Sequence, residues 1–268
     1  MRRSIALAIF SLVSILPASL LAQQSTQTPP TPQRDPQAVA LLNQSLTTAG
    51  GAQALATVLD FTAAGKITYY WTEKGEQGTV SVKSRGASQF RMDATISEGV
   101  LTGVMNNGLT WTKETNGTIR QLPNQHTDNA GNKYLPFAEI AAALANPTIS
   151  ITDLGLVTEG GQQAHGIRLQ KTFSGLDDSS HTRAKLAQRD VFIDATTFLV
   201  VRTRDLSPTR SNLVPSVPHD VVFSNYRTLN GVLFPYSVSE SLNSQQLVAI
   251  QFDTVKFNSG LGDTDFQQ

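Results

Sequence analysis

Apolar positions along this chain recur first with the period of a helix and then with the period of a strand. Val39, Leu42, Leu46 and Ala49 stand three or four apart, behind Asp35-Pro36, an N-cap residue followed by proline at the first helical position. Gly50-Gly51 ends that helix, and residues 52–59 predict a second, shorter one. From Phe61 the period falls to two. Phe61, Ala63, Gly65, Ile67, Tyr69 and Trp71 share one face and Thr62, Lys66 and Thr68 the other, as in a half-buried strand. Turn residues Glu73 to Gly78 lead to Val80 and Val82, and Gly86 to Ser88 lead to Phe90, Met92, Ala94 and Ile96. Asn107-Gly108 and Asn116-Gly117 each sit between apolar runs and predict tight hairpins.

A second helical region covers residues 134–145 and stops at Asn146-Pro147. Strands are then predicted over 149–157, 164–173, 189–193, 198–204, 220–227, 232–241 and 246–257, with Asn230-Gly231 as a further tight turn. Two long loops interrupt them. Residues 175–188 read as polar, whereas 206–219 hold Pro208, Pro215 and Pro218 and carry Leu213, Val214 and Val217. No boundary divides the strands. The pattern predicts one α+β domain over residues 36–268, mainly antiparallel β, with about ten strands and two or three helices.

The N-terminus has a different character. Arg2-Arg3, an apolar run from Ile5 to Leu16, Pro17 and small residues up to Ala22 follow the order of a secretory signal peptide. The alternative is an uncleaved anchor, but the run is shorter than the ~20 residues of a spanning helix, and Pro17 and Ala22 favour cleavage. The expected product is exported, periplasmic or secreted, and processed near Ala22. Residues 23–35 (QQSTQTPPTPQRD) have almost no apolar side chains and predict a disordered leader.

Composition narrows the functional classes. Lys+Arg and Asp+Glu are both 21, so no basic excess suggests a nucleic-acid surface. The chain has no Cys, which excludes disulfides, thiolate-bound metals, a cysteine nucleophile and a lipid anchor on cysteine. His126, His165, His181 and His219 lie far apart without metal-ligand spacing, and His165 reads as an ordinary strand-face histidine. Ser174-Gly175 lacks the upstream glycine of a nucleophile elbow, and Gly160-Gly161 reads as a hairpin turn rather than a phosphate loop. Asp177-Asp178 and Asp263-x-Asp265 lack the ligand ladder of a calcium loop. Asn43-Gln-Ser45 and Asn116-Gly-Thr118 match a glycosylation sequon, a pattern short enough to arise by chance. No catalytic set, metal site or cofactor motif emerges, and the expectation is a protein that is not an enzyme.

The order of elements resembles the LolA/LolB-like fold of the periplasmic outer-membrane lipoprotein carriers and their exported relatives. The resemblance rests on residues 190–202 (DVFIDATTFLVVR), 225–235 (NYRTLNGVLFP) and 255–258 (VKFN), on Phe266, and on the stretch from Ala49-Gly50-Gly51 to Gly65. It implies a curved sheet or half-open β-barrel, covered by helices across its open side and enclosing an apolar cavity.

Nine residues on expected apolar faces are then the candidate cavity lining: Ile67, Tyr69, Trp71, Phe90, Met92, Trp111, Phe234, Tyr236 and Phe252. Residue by residue the better reading is a packed core; the functional reading is the wall of a gap that adapts to a flexible chain. The first functional expectation is a carrier or sensor of an apolar small molecule, a lipid or the acyl chains of a lipoprotein, with peripheral membrane contact. The second is a cell-envelope interaction module with a packed interior, holding envelope proteins. A third, an envelope hydrolase, requires His and acidic residues to converge in one cleft. A transmembrane barrel is the fourth; the helices and the Phe266-Gln-Gln end count against it.

Overall fold

In the computed structural model, the described residues are 32–71, 74–122, 133–173, 182–207 and 217–267. Asp35 caps the first helix: its carboxylate accepts from the backbone N–H of Gln37 (2.8 Å) and Ala38 (3.2 Å), donors that the helix start leaves without partners. Helix α1 runs Pro36–Thr48 and buries Ala38, Leu42 and Leu46. Helix α2 is Gly51–Ala56, shorter than the expected 52–59, because the chain extends into strand β1 (Asp60–Tyr69) and leaves Leu59 exposed.

The first meander continues with β2 (Glu76–Arg85), β3 (Gln89–Ile96), β4 (Gly99–Asn106), β5 (Leu109–Lys113) and β6 (Ile119–Leu122). Helix α3 is Pro136–Ala145. The second meander holds β7 (Ile149–Glu159), β8 (Gln162–Lys171), helix α4 (Thr182–Leu186), β9 (Arg189–Asp194), β10 (Val200–Ser207), β11 (Val217–Leu229), β12 (Val232–Leu242) and β13 (Gln245–Phe257). All thirteen strands join in one antiparallel sheet, in the order β6-β5-β4-β3-β2-β1-β13-β12-β11-β10-β9-β8-β7. The two meanders meet where β1 pairs β13, Phe61 opposite Phe257 and Ile67 opposite Ile250. Among the described residues the end strands β6 and β7 do not pair, so the curved sheet stays open, and α1, α2 and α3 pack together over its inner face.

Three expectations change. Among the described residues the sheet has thirteen strands rather than about ten. The expected loop 206–219 is shortened from both sides, since β10 reaches Ser207 and β11 starts at Val217, with Leu206 opposite Pro218. The expected polar loop 175–188 contains α4, whose last residue Leu186 is buried together with the following Ala187. The remainders of both loops, 208–216 and 174–181, lie outside the described residues, as do the signal sequence and the leader up to residue 31. The end of the leader is held: Ile151 donates to Gln33 O and accepts from Asp35 N (both 2.8 Å), and the Arg34 guanidinium donates to Leu144 O and Asn146 O at the end of α3 (both 2.9 Å).

Two of the Asn-Gly turns behave as their chemistry requires, with Asn107 and Gly108, and Asn230 and Gly231, all at positive φ; at Asn116-Gly117 only the glycine has positive φ, and Lys113 pairs with Ile119 across the longer loop 114–118 instead of the expected tight hairpin. Gly50 has a different role. Its φ is +114°, and a Cβ there would lie 2.0 Å from Gly231 O, where the α1–α2 corner rests on the β11–β12 turn. Gly50→Ala is therefore expected to cost about 1–3 kcal/mol from backbone strain. Urea unfolding checks this, and a midpoint unchanged from the parent would refute the close approach.

Candidate functional site

The inner face is continuous across the sheet. Ile67 and Tyr69 of β1, Phe90 and Met92 of β3, Phe234, Tyr236 and Val238 of β12, and Phe252 of β13 share it with the buried residues of α1 and α3. Its floor is aromatic. The Phe234 ring lies 5.2 Å from Phe61, 5.9 Å from Phe252, 6.0 Å from Phe257 and 6.2 Å from Tyr236. Above it stands Tyr134, two residues before α3 and fully buried, with its ring 5.6 Å from Phe90 and 5.9 Å from Phe252.

The candidate lining residues separate into groups. Ile67, Phe234 and Phe252 are enclosed; Tyr69, Phe90 and Tyr236 are buried nearer the rim. Met92 is half-buried, with its sulfur 3.6 Å from the Tyr134 hydroxyl. Trp71 lies beyond the end of β1 and is 54% exposed; its ring stacks on Tyr69 at 4.4 Å and its indole N–H donates to Glu76 (2.9 Å). Trp111 is on the other face. It pairs with Val104, whereas Met105, opposite Phe90, carries the inner face. The two-residue Asn107-Gly108 turn already dictates this register, because a hairpin that puts Asn106 opposite Leu109 must put Val104 opposite Trp111.

At the rim of the inner face, charged side chains follow the apolar rows. Glu240 extends the row Phe234, Tyr236, Val238 on β12; His219 precedes Val221 and Phe223 on β11; Asp205 follows Thr203 on β10; Arg189 precedes Val191 on β9. These form a chain of contacts. Tyr134 donates to Glu240 Oε1 (2.6 Å), and Lys133 Nζ lies 2.7 Å from Glu240 Oε2. His219 Nε2 lies 3.2 Å from Glu240 Oε2, and its Nδ1 2.9 Å from Asp205 Oδ1. Arg189 stands 3.3 Å from Asp205 and 3.2 Å from Glu139, in the first turn of α3. A separate row on the outer face, Arg168–Asp190 (2.8 Å) and Arg204–Asp220 (2.6 Å), ties β8 to β11.

Burial and pairing compete within the chain. Burial alone would raise the Glu240 carboxyl, but Lys133 and His219 outweigh it and hold it well below the usual carboxylate range. Asp205 is likewise lowered, with Arg189 and His219 overcoming its burial. Burial raises Glu139 despite Arg189. Burial would lower His219, yet hydrogen bonds to Asp205 and Glu240 leave it above its ordinary value of 6.5. Burial, then the Glu240 charge, pushes Tyr69 up to about 12.

The arrangement brings His219 and two carboxylates together, which an envelope hydrolase would need. Both ring nitrogens face carboxylates, so the protonated imidazole donates to both and in that state has no lone pair free to accept a proton. Among the described residues no group of three or more His, Asp or Glu is placed to hold a metal ion.

No protein-family model matches this sequence. No curated protein matches it either. Solved structures do. A DUF1329 family protein from Desulfovibrio piger, 10% identical, superposes with a TM-score of 0.54 over 87% of this chain and 96% of its own. A LolA superfamily protein from Nitrosomonas europaea, 12% identical, gives 0.51 over 84% of this chain and 96% of its own. The fold is LolA-like. A domain from Vibrio parahaemolyticus described as an outer membrane lipoprotein-sorting protein agrees, at 9% identity and a TM-score of 0.52 over 85% of this chain and 95% of its own.

In this LolA-like domain the charged chain is what sequence reasoning missed. The sequence pattern places His219 in a loop among scattered histidines and does not single out Glu139, Arg189, Asp205 or Glu240. A signal existed: on β9, β11 and β12 Arg189, His219 and Glu240 occupy the next alternate position of an apolar row, and on β10 Asp205 follows the buried Thr203. Period-two reading finds those positions but not that four strands bring them to the same end.

Proposed function

We propose that this LolA-like chain is an exported carrier or sensor, taking a lipid or the acyl chain of a lipoprotein at the rim of its inner face, where Tyr134 now sits. The observation that carries this reading is the seating of Tyr134. An aromatic ring fills the space between Phe90, Phe252 and Met92, and it is delivered by the lead-in to a helix rather than by a strand of the sheet. An apolar chain can take the place of such a ring without any change in strand pairing. The fold supports the reading, since a domain described as lipoprotein-sorting shares it. In this reading residues 1–22 are removed, the mature protein begins at Gln23 in the periplasm, and the exposed Trp71 touches a membrane or an envelope partner at the rim.

The enclosed Phe234–Phe252 floor favours the second reading, an envelope interaction module with a packed interior and no ligand. Ligand binding separates the two. Burial of an acyl chain gains about 0.8 kcal/mol per CH₂ group, so a site at the rim retains a long chain through purification. Native mass spectrometry of the exported protein is expected to show bound lipid, and a dansyl-labelled fatty acid to bind the delipidated form. Met92→Lys, at a half-buried position from which an ammonium can reach water, is expected to stay folded and lose the dye. Absence of bound lipid together with absence of dye binding in the parent would establish the packed module instead.

A further inference from the structure

Tyr134 and Lys133 lie on the lead-in to α3, whereas the groups they touch lie on the sheet. The Tyr134 ring stands over Phe90 of β3 and Phe252 of β13, and its hydroxyl donates to Glu240 Oε1 at 2.6 Å. Lys133 Nζ (2.7 Å) and His219 Nε2 (3.2 Å) face the other oxygen, Oε2. Among the described residues, Tyr134 is thus the donor to Oε1. Glu240 is 8% exposed, and burial opposes its charge, but Lys133 and His219 keep it ionised. An ionised carboxylate accepts hydrogen bonds and donates none.

We propose that the apolar ligand carries a non-anionic, hydrogen-bond-donating polar end, a hydroxyl or an ammonium, which takes over Glu240 Oε1 from the Tyr134 hydroxyl. The inference rests on the reading that an apolar chain enters at Tyr134, and it adds the chemistry of that chain's head. Glu240 belongs to β12 and stays in place when the lead-in moves aside. A ligand that is chain alone leaves a buried, charged oxygen without a donor, which costs the site a hydrogen bond to an ion. A carboxylate or phosphate head sets a second anion against the first. The nearby cations already face carboxylates: Lys133 and His219 face Glu240, His219 also faces Asp205, and Arg189 lies between Asp205 and Glu139. If Lys133 moves away with Tyr134, Glu240 loses its ammonium as well, and the demand for a donor grows. Tyr69, the other phenol near Glu240, has its ring stacked on Trp71 at 4.4 Å, which holds it at the rim.

Displacement of the dansyl-labelled fatty acid from the delipidated, full mature protein at near-neutral pH tests this. The dansyl group is attached as a sulfonamide, whose N–H gives the dye a donor of its own. The competitors are an alkyl alcohol, amine, carboxylic acid and phosphate of one chain length, each below its micelle concentration. Alcohol and amine are expected to bind at least about tenfold more tightly than acid and phosphate, as a hydrogen bond to a charged group allows. Amine against acid is the diagnostic comparison, because both heads are ionised and both leave water reluctantly.

Glu240→Gln is expected to abolish the preference for amine over acid, since the amide has no charge and offers an N–H to the acid. Tyr134→Phe keeps the ring but unties it from Glu240, so every competitor is expected to bind several-fold more tightly, in the same order. An acid that binds the parent as tightly as the amine, or an amine preference unchanged in Glu240→Gln, would each overturn the assignment of Oε1. Unchanged or weaker binding to Tyr134→Phe would overturn the exchange of hydroxyl for head group. The parent's ranking decides the matter even if Glu240→Gln does not fold. Dye binding with no difference among the heads would uphold the carrier reading and overturn the head-group inference. Failure of the dye and of every competitor to bind would overturn both.

Discussion

Arg189→Met is expected to destabilise the domain by about 3–5 kcal/mol near neutral pH, the cost of removing one partner from a buried ion pair. Arg189 is buried between Asp205 at 3.3 Å and Glu139 at 3.2 Å, and methionine keeps most of its volume while removing the charge. Two carboxylates would then sit in the interior without their guanidinium. The pH dependence carries a definite sign. In the parent, Arg189 and His219 overcome the burial of Asp205 and lower its proton affinity, so its stabilisation is present above the ordinary carboxylate value and disappears on acidification. In the variant burial dominates, both carboxylates take up protons more readily, and protonation relieves the penalty. The loss is therefore expected to shrink between about pH 8 and about pH 5. Urea titrations at both values measure it. A loss below about 1 kcal/mol, or one equal at both pH values, would contradict the role assigned to Arg189.

Phe234→Ala is expected to cost about 3–5 kcal/mol, the range for emptying a buried phenylalanine site. The Phe234 ring is fully buried and meets Phe61, Tyr236, Phe252 and Phe257, so strands β1, β12 and β13 all lose a contact. These rings sit on a β-scaffold that cannot collapse into the gap without breaking the pairing of β1 with β13. Phe234→Leu is expected to lose less, because a branched side chain refills part of the volume. Unfolding should shift in midpoint while the denaturant slope stays constant. If Phe234→Ala unfolds with the parent, the floor is not the packed base on which the rim site depends.

The same floor shows how far the sequence could be read. Phe61, Phe90, Phe234, Tyr236 and Phe252 were all recognisable as inward-facing from alternation alone, since successive strand residues point to opposite faces. The turns at Asn107-Gly108 and Asn230-Gly231 and the Asp35 cap were equally legible, each being a contact between residues at most three apart. For Trp111, apolar character alone points inward, but the register set by the Asn107-Gly108 hairpin turns it to the outer face. Trp71 continued an alternation whose strand had ended at Tyr69.

Local periodicity thus determined, from sequence alone, the antiparallel class, most strand positions, the helices that cover the sheet and the apolar face. The tertiary structure decided what that face encloses. Its closing contact pairs β1 with β13, and no nearby residue encodes Phe61 opposite Phe257. The charged rim needs β9, β10, β11, β12 and α3 in their final order before Arg189, Asp205, His219, Glu240 and Glu139 meet. Each alone reads as an ordinary charged residue at the end of an apolar run. Their proton affinities shift only after burial removes water and packing supplies partners, and both come from residues distant in sequence.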